Sequence, residues 1–288
     1  MMMMMAPDWI RARALSVLIA LFATATFISG QESKQMAITF DDLPFAYSGQ
    51  LTMAEQREAV TRVLATLDKH RVTATAFVIG RSVTNANRSL VDSVVRAGHL
   101  VGSHSFSHQD LGMVSAEDYI LDLQKGEEAI KPWLKGALYF RYPFLRQGNT
   151  VEKRDAVLSW LASRGTVVAP VTIDNNDYVY NQRLVDAKAA GRTIDVRDEY
   201  FDHMMKMAAF YDAKGRARMG RAVKQVLLLH MNYLNSLYLD ELLQRFRDDG
   251  WSFITFEEAL KDGVYRLKYD YAGMQGAGHL DAIKPTAR

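Results

Sequence analysis

The sequence predicts one α/β domain in which βαβ units wind around a largely parallel sheet or barrel. Three observations predict it. Seven short strand-like runs alternate with helical stripes after the first thirty or so residues. No internal repeat and no low-complexity linker divides them. Unusual polar residues stand at the ends of five of the runs, and in a parallel barrel those ends converge on one face, where active sites are built.

The elements follow in order. Met36–Phe40 is an apolar run ending in two aspartates. Glu55–His70 places Val60, Val63, Leu64 and Leu67 on one helical stripe. Val72–Ile79 is β-branched and alternating, and Gly80 closes it. Leu90, Val91, Val94 and Val95 form a second stripe, with Gly98 where a C-cap belongs. His99–Ser103 is the third strand. Ser115 with Asp118 resembles a capping box and opens a helix towards Leu134. Ala137–Arg141 reads as strand, Val151–Arg164 as helix and Thr166–Ile173 as strand. Glu199–Tyr211 is helical in pattern, Lys224–Leu229 an apolar strand, Leu237–Phe246 helical and Trp251–Phe256 the last strand. Asn181–Arg221 is long for a minimal barrel, and reads either as a cap beside the site or as a longer crossover.

Composition closes several routes. A net charge of +2 with both signs interspersed leaves no footprint for nucleic acid or a membrane surface. There are no cysteines, so disulfides, thiolate zinc and a cysteine nucleophile are excluded, and any transition metal must sit on His and carboxylate groups. Arg11 and Arg13 precede the apolar stretch Ala14–Ile28, which exits through Ser29 and Gly30. That order reads as a secretory signal peptide over residues 1–30, implying a secreted or periplasmic domain over 31–288. About fifteen apolar residues are short for a membrane span; an uncleaved N-terminal tether is the competing expectation.

Asp41 and Asp42 follow the first strand, His104 and His108 the third, Arg141, Pro143 and Phe144 the fourth, Asp174 and Asp177 the fifth, and His230 the sixth. Two imidazoles and a carboxylate suit a divalent ion such as zinc, and three protein ligands leave a position open for water. The spacing of His104 and His108 predicts both rings on one side of a helical turn. Ser105 cannot act as a base, so the pattern is not the HExxH of metalloproteases, and Asp41 beside Asp42 is the nearest candidate base.

Thr39-Phe40-Asp41-Asp42, His104-Ser105-Phe106-Ser107-His108, Arg141-Tyr142-Pro143-Phe144, Asp174-Asn175-Asn176-Asp177-Tyr178 and Leu228-Leu229-His230 occur in that order. Together, from about Met36 to Leu260, they resemble the five motifs of the polysaccharide deacetylases, carbohydrate esterase family 4 (the NodB-homology fold). The resemblance implies a single distorted (β/α)7 barrel. It implies a metal-dependent hydrolase that removes N- or O-linked acetyl groups from a carbohydrate. Asp42, His104 and His108 would hold the metal, zinc first, with cobalt or nickel as alternatives. Asp41 would be the base, with Arg141 as its counter-ion. The Phe144 N–H would help hold the oxyanion, His230 would be the general acid, and Asp174 or Asp177 would orient it. Leu228 would receive the acetyl methyl, and Tyr142 and Tyr178 are candidates to face the sugar. Two departures bear on the substrate rather than the chemistry: Tyr178 stands where the family usually has Trp, and Met231-Asn232 follow His230 where Asp is frequent. Peptidoglycan, chitin-type oligomers, xylan and exopolysaccharide all fit as the acetylated glycan. A same-fold hydrolase of small esters or cyclic amides, and a catalytically silent carbohydrate binder, are the alternatives. Oligomeric state is not indicated.

Overall fold

The computed structural model describes residues 33–47 and 51–284; the signal-peptide expectation over 1–30 lies outside them. The described residues form one compact unit. Its seven strands are β1 (Lys34–Leu43), β2 (Thr75–Val78), β3 (Leu100–Ser103), β4 (Tyr139–Phe140), β5 (Val167–Val168), β6 (Gln225–His230) and β7 (Trp251–Phe253). They run in the order β5-β4-β3-β2-β1-β6, with β7 also on β1, and every pairing is parallel. Ile173 bridges Leu227 of β6, so the chain leaving β5 curls back to the opposite edge. This is the distorted parallel barrel expected.

β1 is the axis. It pairs with β2, β6 and β7, so neither of its edges is left open and its core is a continuous apolar run. Met36, Ala37, Ile38 and Phe40 are at most 1% exposed. Its register with β2 slips after Phe40: Phe40 faces Ala76 and Leu43 faces Val78, so three steps on β1 match two on β2. Such a bulge breaks the strict alternation of side chains across a strand.

The helices form the outer layer: α1 (Met53–Lys69), α2 (Arg88–Arg96), α3 (Ala116–Ile130), α4 (Val151–Ser163), α5 (Asp177–Ala189), α6 (Arg197–Met219), α7 (Tyr233–Asp248) and two short ones, α8 (Phe256–Leu260) and α9 (His279–Ala282). α1 begins earlier than its apolar stripe because Thr52 and Glu55 form a reciprocal capping box. Ser115 caps α3 by accepting from the Asp118 N–H. Gly98, at φ +88°, follows α2 as expected of a helix C-terminal glycine.

One expectation needs correction and one open alternative is decided. β5 is two residues, not the eight of Thr166–Ile173, because Pro170 has no N–H for a ladder. Beyond it Thr172 and Ile173 bond to β6 instead. The 181–221 segment is the longer crossover, not a cap. Only the start of α5 borders the cleft, and α6 buries Tyr200, Phe201, Met204 and Ala208 in the main core. Tyr200 donates to Asn235 of α7 at 2.9 Å.

Candidate active site

Five strand ends open into one cleft of about 430 Å³ whose walls include Asp41, Asp42, His104, His108, Phe144, Asp174, Tyr178, Leu228 and His230. The bulge in β1 puts two consecutive aspartates on this one face. Asp42 takes φ 62°, a left-handed conformation that few residues other than Gly, Asn and Asp tolerate, while Asp41 still pairs with His230 across the sheet.

Asp42 Oδ1 lies 3.5 Å from His104 Nε2 and 3.3 Å from His108 Nε2. It is buried and has no hydrogen-bond partner among the described residues. His104 Nδ1 is 2.9 Å from the Arg141 carbonyl, which can only accept, so Nδ1 carries the proton and Nε2 turns a lone pair towards the carboxylate. A lone pair facing a buried carboxylate oxygen is unfavourable unless a cation joins them. Burial, helped for His108 by the neighbouring His104, pushes both imidazoles down, His108 to about 4, so both are neutral near pH 7. Burial also raises Asp42 against the pull of His230 and His108. The 3.3 and 3.5 Å between the carboxylate oxygen and the two Nε2 atoms are the spacings of ligands that share one ion at bonds of about 2 Å. The residues fit a divalent cation.

The segment between the two histidines is not the helical turn expected. It is a loop with positive φ at Ser105 and His108. Asp122 on α3 organises it, accepting from the N–H groups of Phe106 and Ser107 at 3.0 and 3.1 Å and from the Ser107 hydroxyl. One turn along α3, Gly126 lies so close to Ser105 that a Cβ would sit 2.7 Å from its carbonyl carbon. The imidazoles still converge, ring centroids 4.9 Å apart.

Asp41 and Arg141 are both buried. Arg141 Nη1 donates to Asp41 Oδ1 at 2.8 Å and to Thr39 Oγ1 at 2.7 Å, leaving Asp41 Oδ2 facing His104 Nε2 at 3.7 Å. On the other wall, His230 Nδ1 lies 2.6 Å from Asp177 Oδ1. Asp177 Oδ2 takes the His230 N–H and the Asn235 side-chain amide, each at 2.9 Å. Burial works against a charged His230, but Asp177 overcomes it and raises the imidazole to about 10. Of the two candidates the partner of His230 is therefore Asp177. Asp174 accepts the Asn175 N–H and lines the cleft.

Phe144 and Leu145 both adopt positive φ, 57° and 53°, and the Phe144 N–H has no hydrogen-bond partner among the described residues. The Phe144 ring stands 4.5 Å from that of His108. Leu228 and Tyr178 line the cleft. Tyr142 does not reach it: the ring is 2% exposed and packs between Tyr119 and Phe140. Asp122, Asn175, Asn235 and Gly276 were not foreseen. Asp122 alone left a signal, a charge on the stripe of Tyr119, Leu123 and Ile130 that α3 buries.

A family model described as polysaccharide deacetylase matches residues 29–159. A peptidoglycan-N-acetylglucosamine deacetylase of Bacillus cereus is 30% identical over 171 residues, covering 56% of this chain and 54% of that protein. Among solved structures, PdaA of Bacillus subtilis, a family 4 carbohydrate esterase, aligns at TM-score 0.55 and 22% identity over 80% of this chain and 81% of that one. A CE4 family pseudoenzyme from Bacillus anthracis aligns at TM-score 0.55 and 19% identity, covering 80% and 66%. The chain spans from 35% to 54% of the length of the first curated relatives it matches. The matched segment carries the first three motifs, and the chain shares the fold of these structures over four fifths of its length; it is similar to the polysaccharide deacetylases.

Proposed function

We propose that this protein is a metal-dependent hydrolase that removes N- or O-linked acetyl groups from an acetylated glycan. The observation that carries the reading is the opposition, across one cleft, of an Arg141-paired Asp41 and an Asp177-paired His230 on either side of the Asp42–His104–His108 cluster. A divalent cation on those three ligands would supply positive charge that polarises the acyl carbonyl and acidifies water. Asp41 Oδ2, the oxygen Arg141 leaves free, takes the proton of the attacking water. The Phe144 N–H donates to the oxygen on which negative charge develops. His230, kept protonated by Asp177, hands a proton from Nε2 to the departing amine or alkoxide. Leu228 offers an apolar wall to the methyl group. The name of the Bacillus cereus relative favours an N-acetylated amino sugar of peptidoglycan as the first substrate to assay. A chelator should abolish acetate release, and zinc should restore it; release that ignores the chelator would reject the metal mechanism.

The same geometry sets a pH dependence. A general acid acts while protonated, and His230 remains so up to about pH 10. The stabilisation this charge contributes is complete below the ordinary histidine value of about 6.5 and is lost as pH rises through about 10. Asp177→Asn should therefore move the alkaline limb of the kcat profile down by more than one pH unit, with the fold checked by circular dichroism. An unmoved limb would remove His230 from the acid role.

The silent-binder alternative predicts tight glycan binding with no acetate released from any acetylated substrate. Export is inferred from the apolar Ala14–Ile28 stretch behind two arginines. Among the described residues no helix is long and apolar enough to cross a membrane.

A further inference from the structure

Phe144 and Leu145 are consecutive non-glycine residues in the left-handed region, a strained conformation that persists only where the surroundings over-determine it. Their own turn offers two hydrogen bonds, Leu145 N–H to Tyr142 O and Arg146 N–H to Pro143 O, each 3.1 Å. The rest comes from the far end of the chain. Residues 273–279 run across the loop after β4: Gly273 N–H donates to Gly148 O at 3.0 Å, Ala277 N–H to Leu145 O at 3.2 Å and His279 N–H to Val171 O at 2.6 Å. The strap thus ties the loop that carries Phe144 to the segment that leads from β5 into Asp174. Its far end is anchored, because His279 is 2% exposed and its Nε2 bonds the Val264 carbonyl at 2.8 Å. Gly276 is where the strap meets the turn. A Cβ there would stand 2.2 Å from the Phe144 carbonyl oxygen, so a side chain must move either the strap or the Phe144 peptide. The requirement for glycine here is one of space, and Gly276 itself borders the cleft.

We infer that residues 273–279 are a positioning strap that holds the Phe144–Leu145 turn in its left-handed form and so aims the Phe144 N–H into the cleft. This rests on the hydrolase reading for its catalytic consequence, but not for its structural one. Gly276 and Ala277 are positioning residues: neither bears a group that touches the reacting atoms. Loosening the strap should weaken stabilisation of the developing oxyanion, a loss felt in kcat more than in KM, while the three metal ligands keep their places.

The test uses the full chain carrying Gly276→Ala and, separately, Ala277→Pro, which deletes the donor to Leu145. Two measurements are made on each. Amide hydrogen exchange should accelerate at Leu145 and Arg146 by tenfold or more, with β1 and β6 unchanged. On a chromogenic acetate ester, kcat should fall ten- to a hundredfold with KM within threefold and zinc affinity, read by calorimetry, within twofold. Unchanged exchange at Leu145 and Arg146 overturns the strap whatever the kinetics do. Faster exchange with unaltered kcat overturns its catalytic part and leaves a purely structural tail. Joint loss of kcat, zinc affinity and protection throughout the sheet overturns it in favour of general unfolding. A wild-type protein that releases no acetate from any substrate rejects the hydrolase reading, and exchange then decides the strap alone.

Discussion

Asp41→Asn is expected to lower kcat by about 10²–10⁴-fold, the range for loss of a positioned general base, while zinc still binds one ion per chain. The asparagine can still accept the Arg141 hydrogen bond, but cannot accept the proton of water at neutral pH. The three ligand side chains are untouched, because Asp41 presents Oδ1 to Arg141 and only Oδ2 towards the cluster, 3.7 Å from His104. Acetate release measured beside zinc content separates the two roles. Turnover within tenfold of wild type would transfer the base to another group, with Asp174 next in line on the cleft wall.

The largest effect on stability is expected at Arg141. It is fully buried, its Nη1 divided between Asp41 and Thr39, its Nη2 on the Pro170 carbonyl at 3.2 Å, and its carbon Cζ 4.1 Å from the centre of the Phe77 ring. Burial pushes the guanidinium down and the Asp41 carboxylate opposes that shift. Arg141→Leu would leave Asp41 as an unpaired buried charge and would take a donor from the Thr39 hydroxyl and from the Ala169 and Pro170 carbonyls. Removing one partner of a buried pair costs about 3–5 kcal/mol, which in a domain of this size lowers Tm by about 6–20 °C. Arg141→Lys should recover little, because an ammonium cannot fork between Thr39, Asp41 and Pro170. Thermal unfolding followed by circular dichroism decides it; a Tm shift under 3 °C for the leucine variant would show that the pair contributes little to holding the barrel.

Much of this was legible beforehand for a physical reason. Parallel strands covered on both faces must be short apolar runs, so Met36–Phe40 and Lys224–Leu229 stand out, and polar residues just past them are conspicuous. The positions Asp42, His104, His108 and His230 stand out by that contrast, while the roles proposed for them come from the family resemblance. What escaped depends on backbone path. The loop carrying His108 bends where Asp122 and Gly126, on a helix more than a dozen residues later, allow it. Asp177 rather than Asp174 reaches His230, and its second oxygen is held by Asn235, far along the chain. Tyr142 sits next to Arg141 in a motif, yet its ring turns into the core because Tyr119 lies parallel to it there. The strap beyond Leu260 carries no periodic signal, since its work is done by backbone groups.

The extra residue in β1 has a consequence for how the two neighbouring acids can evolve. They are chemically identical, so in the proposed reading it is the path of the main chain, not their side chains, that gives one to proton transfer and the other to ion capture. Interchanging them is meaningless, and shortening this stretch by a single position would return it to plain two-residue periodicity. One carboxylate would then point to the opposite face of the strand. The proposed hydrolase would lose one of its two carboxylate positions with both acids still present in the sequence.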